Sequence, residues 1–584
     1  MTRKKKIPFL PLLLTFLALL CGLALGACSH YLDQKHNQAF ETYADSLFRQ
    51  EILTSTINLH YTLAFPEQYG IQDPTPSLSF SGADDSSRRR RALEDQLEDL
   101  KNLSSRRLSR SNRIALDTLR LVTGTELSST GMELLQEPLS PSLGIQAQLP
   151  VLLAEYTFRT RQDIEDYLQL LSLTDSYFRQ ILDFEQEKAV QGLFMSDASL
   201  CRIQEQCRSL ISDPSHNYLE SIFSDKISAF PDLTAREKNG YLNRHREVLE
   251  DHFLPAYQLL IDGLEALKGT GSNENGLCWL KGGKDYYRYL LRSQSGLYEE
   301  PDQIRERLQE QLKADSLEMQ SLLKENPKLL SASLTARPAL EDPGEILKAL
   351  REQITEDFPS LSASSYEVKY VHPDLEEYLS PAFYLTPPVD TMSPNTIYIN
   401  PAASLEGTEL YTTLAHEGFP GHLYQTLYFA GTNPPAIRHI LGTGGYVEGW
   451  ATYIESFAYG YAQKDPALSR LLWLNRSLNL GLCSLLDMGI HYYGWTEEDA
   501  FAFLSSFGIT DRNAVKEIFR YTVETPGNYL KYYMGYLSIL DLRTEMEKEL
   551  GKDFNLKEFH RTVLEIGPCP FPVLRKYTKE LLSS

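Results

Sequence analysis

Two histidines six residues apart constrain this chain more than any other feature. They stand in Thr412-Thr413-Leu414-Ala415-His416-Glu417-Gly418-Phe419-Pro420-Gly421-His422-Leu423, between apolar, helix-like runs (Leu410, Tyr411 and Leu414 before, Leu423, Leu427 and Tyr428 after). Imidazole nitrogen suits Zn²⁺, and a carboxylate beside the metal can take a proton from water. The familiar zinc-peptidase spacing is His-Glu-x-x-His, because residues at i and i+4 share a helix face. Here the spacing is wider. At about 100° per residue a regular helix would leave His416 and His422 roughly 120° apart, so it could not chelate with both. Pro420 and Gly421 predict the break that brings His422 back.

A third donor follows. Glu448 lies in a second apolar helical run, Gly445-Tyr446-Val447-Glu448-Gly449-Trp450-Ala451-Thr452-Tyr453-Ile454-Glu455. It would complete a set of His416, His422 and Glu448 with one position left for water. Glu455, two turns along the same face, is either the ligand in its place or a partner of a ligand.

These two segments resemble the bacterial DUF885 family, read as metallopeptidases and similar to the all-helical zinc peptidases that include neurolysin, angiotensin-converting enzyme and carboxypeptidase Taq. The resemblance continues through Asp487-Met488-Gly489-Ile490-His491-Tyr492-Tyr493-Gly494-Trp495, Arg520-Tyr521, Pro526-Gly527, Tyr532-Tyr533-Met534-Gly535 and Arg543. It is strong over roughly residues 360 to 545. It implies a mostly α fold, a clam-shell of helices around a deep cleft, with one Zn²⁺ on the floor. Glu417 is then the general base in hydrolysis of a peptide substrate. The resemblance also asks for a hydroxyl or imidazole donor to the oxyanion. Tyr529 and Tyr536 have the spacing of two functional tyrosines in the neurolysin group, Tyr532 fits the DUF885 pattern, and His491 is a further candidate. Arg520 and Arg543 are candidates to hold a substrate carboxylate, with structural salt bridges as the alternative.

At 584 residues, 42 % of them hydrophobic, the chain can bury a sizeable core. A net charge of −21 argues against nucleic acid as a partner. Arg88 to Arg91 read as a solvated loop. The N-terminus reads as a targeting segment: Arg3, Lys4, Lys5 and Lys6, then an apolar run from Ile7 to Leu25. Leu25-Gly26-Ala27-Cys28 resembles a lipobox, which implies cleavage before Cys28 and a lipid on its thiol. The alternative is an uncleaved membrane helix. Losing the leader removes four basic residues and no acidic one, so the lipid would be the anchor of an extracytoplasmic protein. No Cys-x-x-Cys pair occurs, which argues against a cysteine metal site, and Cys201 with Cys207 is the one candidate local disulfide.

Three segments are expected: a leader over 1–27, a helical scaffold over 28–270, and the DUF885-like region over 271–584, the last two sharing one cleft fold. Helical spacing of apolar residues recurs from Ala92, over Ile164 to Phe184, over Tyr241 to Leu267 and over Pro301 to Leu323. Ser365 to Val371 and Thr396 to Asn400 carry the strand signals. A small antiparallel sheet there, with Tyr398 facing substrate, could pair with an extended peptide; the alternative is a hairpin that caps the core. Two functions compete with the peptidase reading. One is an amidohydrolase of cell-wall peptides, the other a surface binding lipoprotein whose metal is structural. Glu417 argues against the second, since a structural site has no use for a carboxylate beside its ligand.

Overall fold

A computed structural model describes residues 9–583, except 73, 79, 81, 83–85, 214–216, 362–364 and 377–378; the side chains of residues 9–28 and of Asp374 are likewise outside it. The leader's basic residues and the Cys28 thiol therefore lie outside the described residues. The fold is mostly α. Helix α1 runs from Phe9 to Ile52. Past the leader, no helix among the described residues is long and apolar enough to cross a membrane.

Many helices start where a short polar side chain can take the first free amides. Thr160 with Asp163, Thr234 with Glu237, and Thr496 with Asp499 form reciprocal capping boxes. The stretch from Tyr241 to Leu267 is helical as its spacing predicts but contains a wide turn at Leu249–Phe253. Pro255 explains it: with no N–H and a ring that crowds the preceding turn, it cannot sit in a regular helix interior. Arg88 to Arg91 are not a loop. They open the helix Ser86–Asn102, where Arg89 pairs with Glu126 at 2.7 Å and Arg90 donates to the Thr130 carbonyl at 3.0 Å. Cys201 and Cys207 are both free; six residues apart on the helix Asp197–Ile211, they point to different faces.

Two large cores organise the chain. Leu139, Phe178, Leu200, Phe223, Tyr257 and their neighbours form one. The other joins Ile114 and Leu135 to residues from Leu277 to Tyr577 and includes the helices around the histidines. These are α2 (Pro301–Glu325), α3 (Gly407–Glu417), α4 (His422–Ala430), α5 (Gly444–Ala462), α6 (Pro466–Met488) and α7 (Asn528–Leu550).

The sheet differs from expectation in its pairing. Its strands are β1 (Glu367–Tyr370), β2 (Ala382–Leu385) and β3 (Thr396–Ile399), in the order β1-β3-β2. The two strands expected to pair antiparallel, β1 and β3, are parallel, with Val368 opposite Ile397. The antiparallel partner of β3 is β2, which carries Phe383 opposite Tyr398. The connection between β1 and β3 is long enough to include this extra strand and return in the same direction, so no hairpin forms.

Candidate metal centre

The helix break predicted by Pro420-Gly421 is present. Helix α3 ends at Glu417, α4 starts at His422, and the Phe419–Pro420 peptide between them is cis. Only glycine fits at 421: a Cβ there would lie 1.8 Å from the carbonyl oxygen of His416. The Trp450 indole holds the turn by donating to the Pro420 carbonyl at 2.9 Å. With the chain folded back this way, the two imidazole rings stand edge to face, 4.7 Å apart.

Glu448 on α5 faces both of them. Its Oε2 lies 3.5 Å from Nε2 of His416 and 3.5 Å from Nε2 of His422. Those distances are long for hydrogen bonds between charged groups, which run about 2.7–2.9 Å. They are close to what a shared ion needs: tetrahedral arms of about 2.1 Å set donors about 3.4 Å apart. Glu417 adds a second carboxylate, with Oε1 at 4.0 Å from Nε2 of His416. Its Oε2 accepts the backbone N–H of Tyr384 on β2 at 2.9 Å, which fixes the side chain.

Glu455 takes the other side of His416. Its Oε1 meets Nδ1 at 2.9 Å, and Arg476 of α6 holds the same carboxylate from behind. An acceptor at Nδ1 keeps the proton there and leaves Nε2 free to bind a metal. Nδ1 of His422 is buried without a hydrogen-bond partner, so this ring is engaged through Nε2 alone.

The charges agree with a cation site. Three carboxylates surround two imidazoles. Burial works against a charged His416, but Glu448, Glu455 and Glu417 outweigh it and push its pKa up to about 10. Burial raises Glu455, but Arg476 and then His416 prevail and lower it to about 2; the two histidines bring Glu448 down in the same way. An N, N, O donor set of this kind fits Zn²⁺.

Tyr532 completes the surroundings. Its ring lies near-parallel to His416 at 6.4 Å. Burial first, and then the charges of Glu448 and Glu417, raise its pKa, so the hydroxyl keeps its proton and can donate. It reaches this place because α5 and α7 cross backbone to backbone. A Cβ on Gly449 would lie 2.3 Å from the Gly535 carbonyl carbon, and one on Gly535 would lie 2.2 Å from the Gly445 oxygen. Glu448 precedes Gly449, and Tyr532 precedes Gly535 by one turn. The glycine contact thus sets Glu448 and Tyr532 side by side.

The DUF885 family, described as bacterial protein of unknown function, matches residues 68–577. The chain belongs to it. No curated protein matches the sequence. The fold is similar to the crystal structure of a predicted lipoprotein from Colwellia psychrerythraea, with a TM-score of 0.79 and 21 % identity over 94 % of this chain and 99 % of that one. It is also similar to a predicted lipoprotein of unknown function from Shewanella oneidensis, with a TM-score of 0.65 and 17 % identity over 92 % of this chain and 99 % of that one.

Several residues of DUF885-like motifs are placed elsewhere. His491 is fully buried: Leu277 N–H donates to its Nδ1 at 3.1 Å, and its Nε2 meets the Thr522 carbonyl at 2.8 Å. Both nitrogens are taken by backbone, so it has no proton to offer a substrate. Asp487 accepts from the Tyr287 hydroxyl at 2.5 Å and from the Gly527 N–H at 2.9 Å. These two residues tie the end of α6 to the loop that launches α7. Tyr536 packs edge-on against Trp473 at 5.1 Å, and Tyr529 lies 6.1 Å from Tyr521. Arg520 pairs with Glu517, and Arg543 with Glu547 and the Tyr453 hydroxyl. Tyr398 turns to Glu155 and stacks on Phe383. Arg476 and the β2 amide were not legible in the sequence, because neither sits in a spacing that points to the histidines.

Proposed function

We propose that the protein is a metal-dependent peptidase, anchored by lipid on Cys28 outside the cytoplasm, that hydrolyses peptides or short unfolded chains. The observation that carries this reading is the pair of 3.5 Å approaches to one oxygen of Glu448, with Glu417 fixed beside them. His416, His422 and Glu448 would hold one Zn²⁺, which when bound supplies Lewis acidity and makes water more acidic.

The chain's own residues do the rest. Glu417 cannot swing away, since Tyr384 N–H binds Oε2, and Oε1 is left toward the histidines to accept a proton from attacking water. The protonated carboxyl can then pass that proton to the leaving amine. In this reading the Tyr532 hydroxyl, on a ring 6.4 Å from that of His416, would donate to the developing oxyanion. The outer edge of β2, whose Tyr384 amide faces Glu417, supports an extended peptide lying alongside.

The test is Glu417→Gln beside His416→Ala, with peptide hydrolysis and bound zinc measured on the same samples. The first should keep metal and lose activity by about 10²–10⁴-fold. The second should lose both. Full activity in the glutamine variant rules the mechanism out.

A further inference from the structure

Residues 100–116 carry Lys101, Arg106, Arg107, Arg110 and Arg113 and no acidic residue, in a chain whose net charge is −21. The fold docks this basic stretch on α1, close to Cys28. Arg107 donates to Asp33 at 3.0 Å, and the Asn37 side chain donates to the Arg107 carbonyl at 3.1 Å and accepts the Ser109 N–H at 2.8 Å. Leu103 and Leu108 close the contact, packing with Tyr43 and Leu47 over a core of Phe40, Leu100 and Leu116. Because α1 is one continuous helix here, rising about 1.5 Å per residue, Asp33 and Asn37 stand about 7 and 14 Å from Cys28 along its axis. The acidic side chains beside the stretch are occupied: Asp33 by Arg107, Glu41 by Asn112 at 2.8 Å, and Glu580 by Arg113 at 3.1 Å. Lys35, Lys101, Arg106 and Arg110 are exposed, and among the described residues they make no ion pair. Tyr31, one turn beyond Cys28, is 65 % exposed.

We propose that this face binds a membrane surface of anionic phospholipid and holds the folded body against the bilayer that Cys28 anchors. This rests on the lipid-anchor reading above and adds the surface that meets the membrane. The phosphodiester of a headgroup suits the planar fork of arginine, and the unpaired cations leave such a partner free access. The negative charge of the whole chain does not oppose the contact. At physiological ionic strength attraction and repulsion fade over about 8 Å, so the groups nearest the headgroups decide. Each lysine or arginine held at such a surface adds about fivefold to binding. An exposed tyrosine suits the same depth, with its ring at the acyl boundary and its hydroxyl in water. A lipid alone would leave the body free to pivot on Cys28, whereas a basic face beside it restricts the body to one orientation.

The test uses the chain from Ser29 to Ser584, without leader or lipid, so that the face is read apart from the anchor. This chain keeps every core residue, the first of which is Phe40. Sedimentation with vesicles of phosphatidylcholine, with and without phosphatidylglycerol, should show binding only where the anionic lipid is present, and high salt should release it. Arg106→Gln with Arg110→Gln should weaken binding about 25-fold, and adding Lys35→Gln and Lys101→Gln about 600-fold in all. Arg106→Lys with Arg110→Lys should retain most of it. No binding to the anionic vesicles, or equal binding to the neutral ones, overturns the proposal without use of a variant, as does unchanged binding by the fourfold glutamine variant. Binding to soluble polyphosphate but not to vesicles would make the face a reader of soluble polyanions and overturn the lipid assignment. The anchor is scored separately, by mass spectrometry of the full-length protein from membranes. Vesicle preference with no lipid on Cys28 refutes the anchor reading alone, and a lipid on Cys28 without vesicle preference refutes the basic face alone.

Discussion

Arg476 holds Glu455 with two hydrogen bonds, Nε to Oε2 at 2.8 Å and Nη2 to Oε1 at 3.2 Å, and Oε1 of that carboxylate meets Nδ1 of His416 at 2.9 Å. A half-exposed arginine on α6 therefore controls the orientation of an imidazole on α3. Arg476→Ala should loosen His416 and weaken zinc binding by about 10–100-fold, as loss of such supporting partners does elsewhere. Glu455→Gln should do the same. Competition with a chromogenic chelator reads both; unchanged affinity would show that His416 needs no such support.

Tyr532 and Tyr536 are one turn apart on α7 but differ in surroundings, one beside His416 and the other against Trp473. If the first donates to the oxyanion, Tyr532→Phe should lower kcat by about 10²–10³-fold with KM little changed. Tyr536→Phe should leave kcat near wild type. Reversed results would move the donor role to Tyr536.

The glycine crossing is open to direct test. Gly449→Ala places a methyl where only 2.3 Å separates it from Gly535 backbone, so α5 and α7 must part. Overpacking of this kind costs about 1–3 kcal/mol. Thermal melts should show the loss, and zinc affinity should fall with it, because Glu448 moves with its helix.

His491 predicts a pH dependence. Burial lowers its pKa to about 4, below the 6.5 of an exposed histidine. The unfolded chain therefore takes up a proton between about pH 6.5 and 4 that the folded chain refuses, and stability falls as pH drops through this window. The single-site contribution is on the order of 3 kcal/mol at its full extent. Urea melts at pH 7, 5.5 and 4.5 should show a steeper acid loss for wild type than for His491→Gln. Parallel slopes would show that His491 does not titrate this way.

Cys28→Ser should abolish lipidation and leave unprocessed or soluble protein in place of an anchored one. Membrane fractionation unchanged by the substitution would favour an uncleaved N-terminal helix.

What the sequence determined by itself is local. The helical content follows from apolar periodicity, and the break between the histidines follows from Pro420 and Gly421, because a missing N–H and a missing Cβ act within one turn of chain. The grouping of His416, Glu417 and His422 follows from that break. The rest depended on how distant helices cross. Glu448 and Glu455 lie on one face of α5, and only the packing of α3 and α6 against it puts one at Nε2 and the other at Nδ1. Periodicity cannot separate Tyr529, Tyr532 and Tyr536; the contact of Gly449 with Gly535 sets Tyr532 beside His416. The histidine of the Gly489-Ile490-His491 motif looked chemical because its type is chemical, yet tertiary structure surrounds it with backbone partners. Strand pairing was likewise set by a third strand with a weak sequence signal. Spacing along a chain specifies which residues share a face, and only the packing of faces decides what each residue meets.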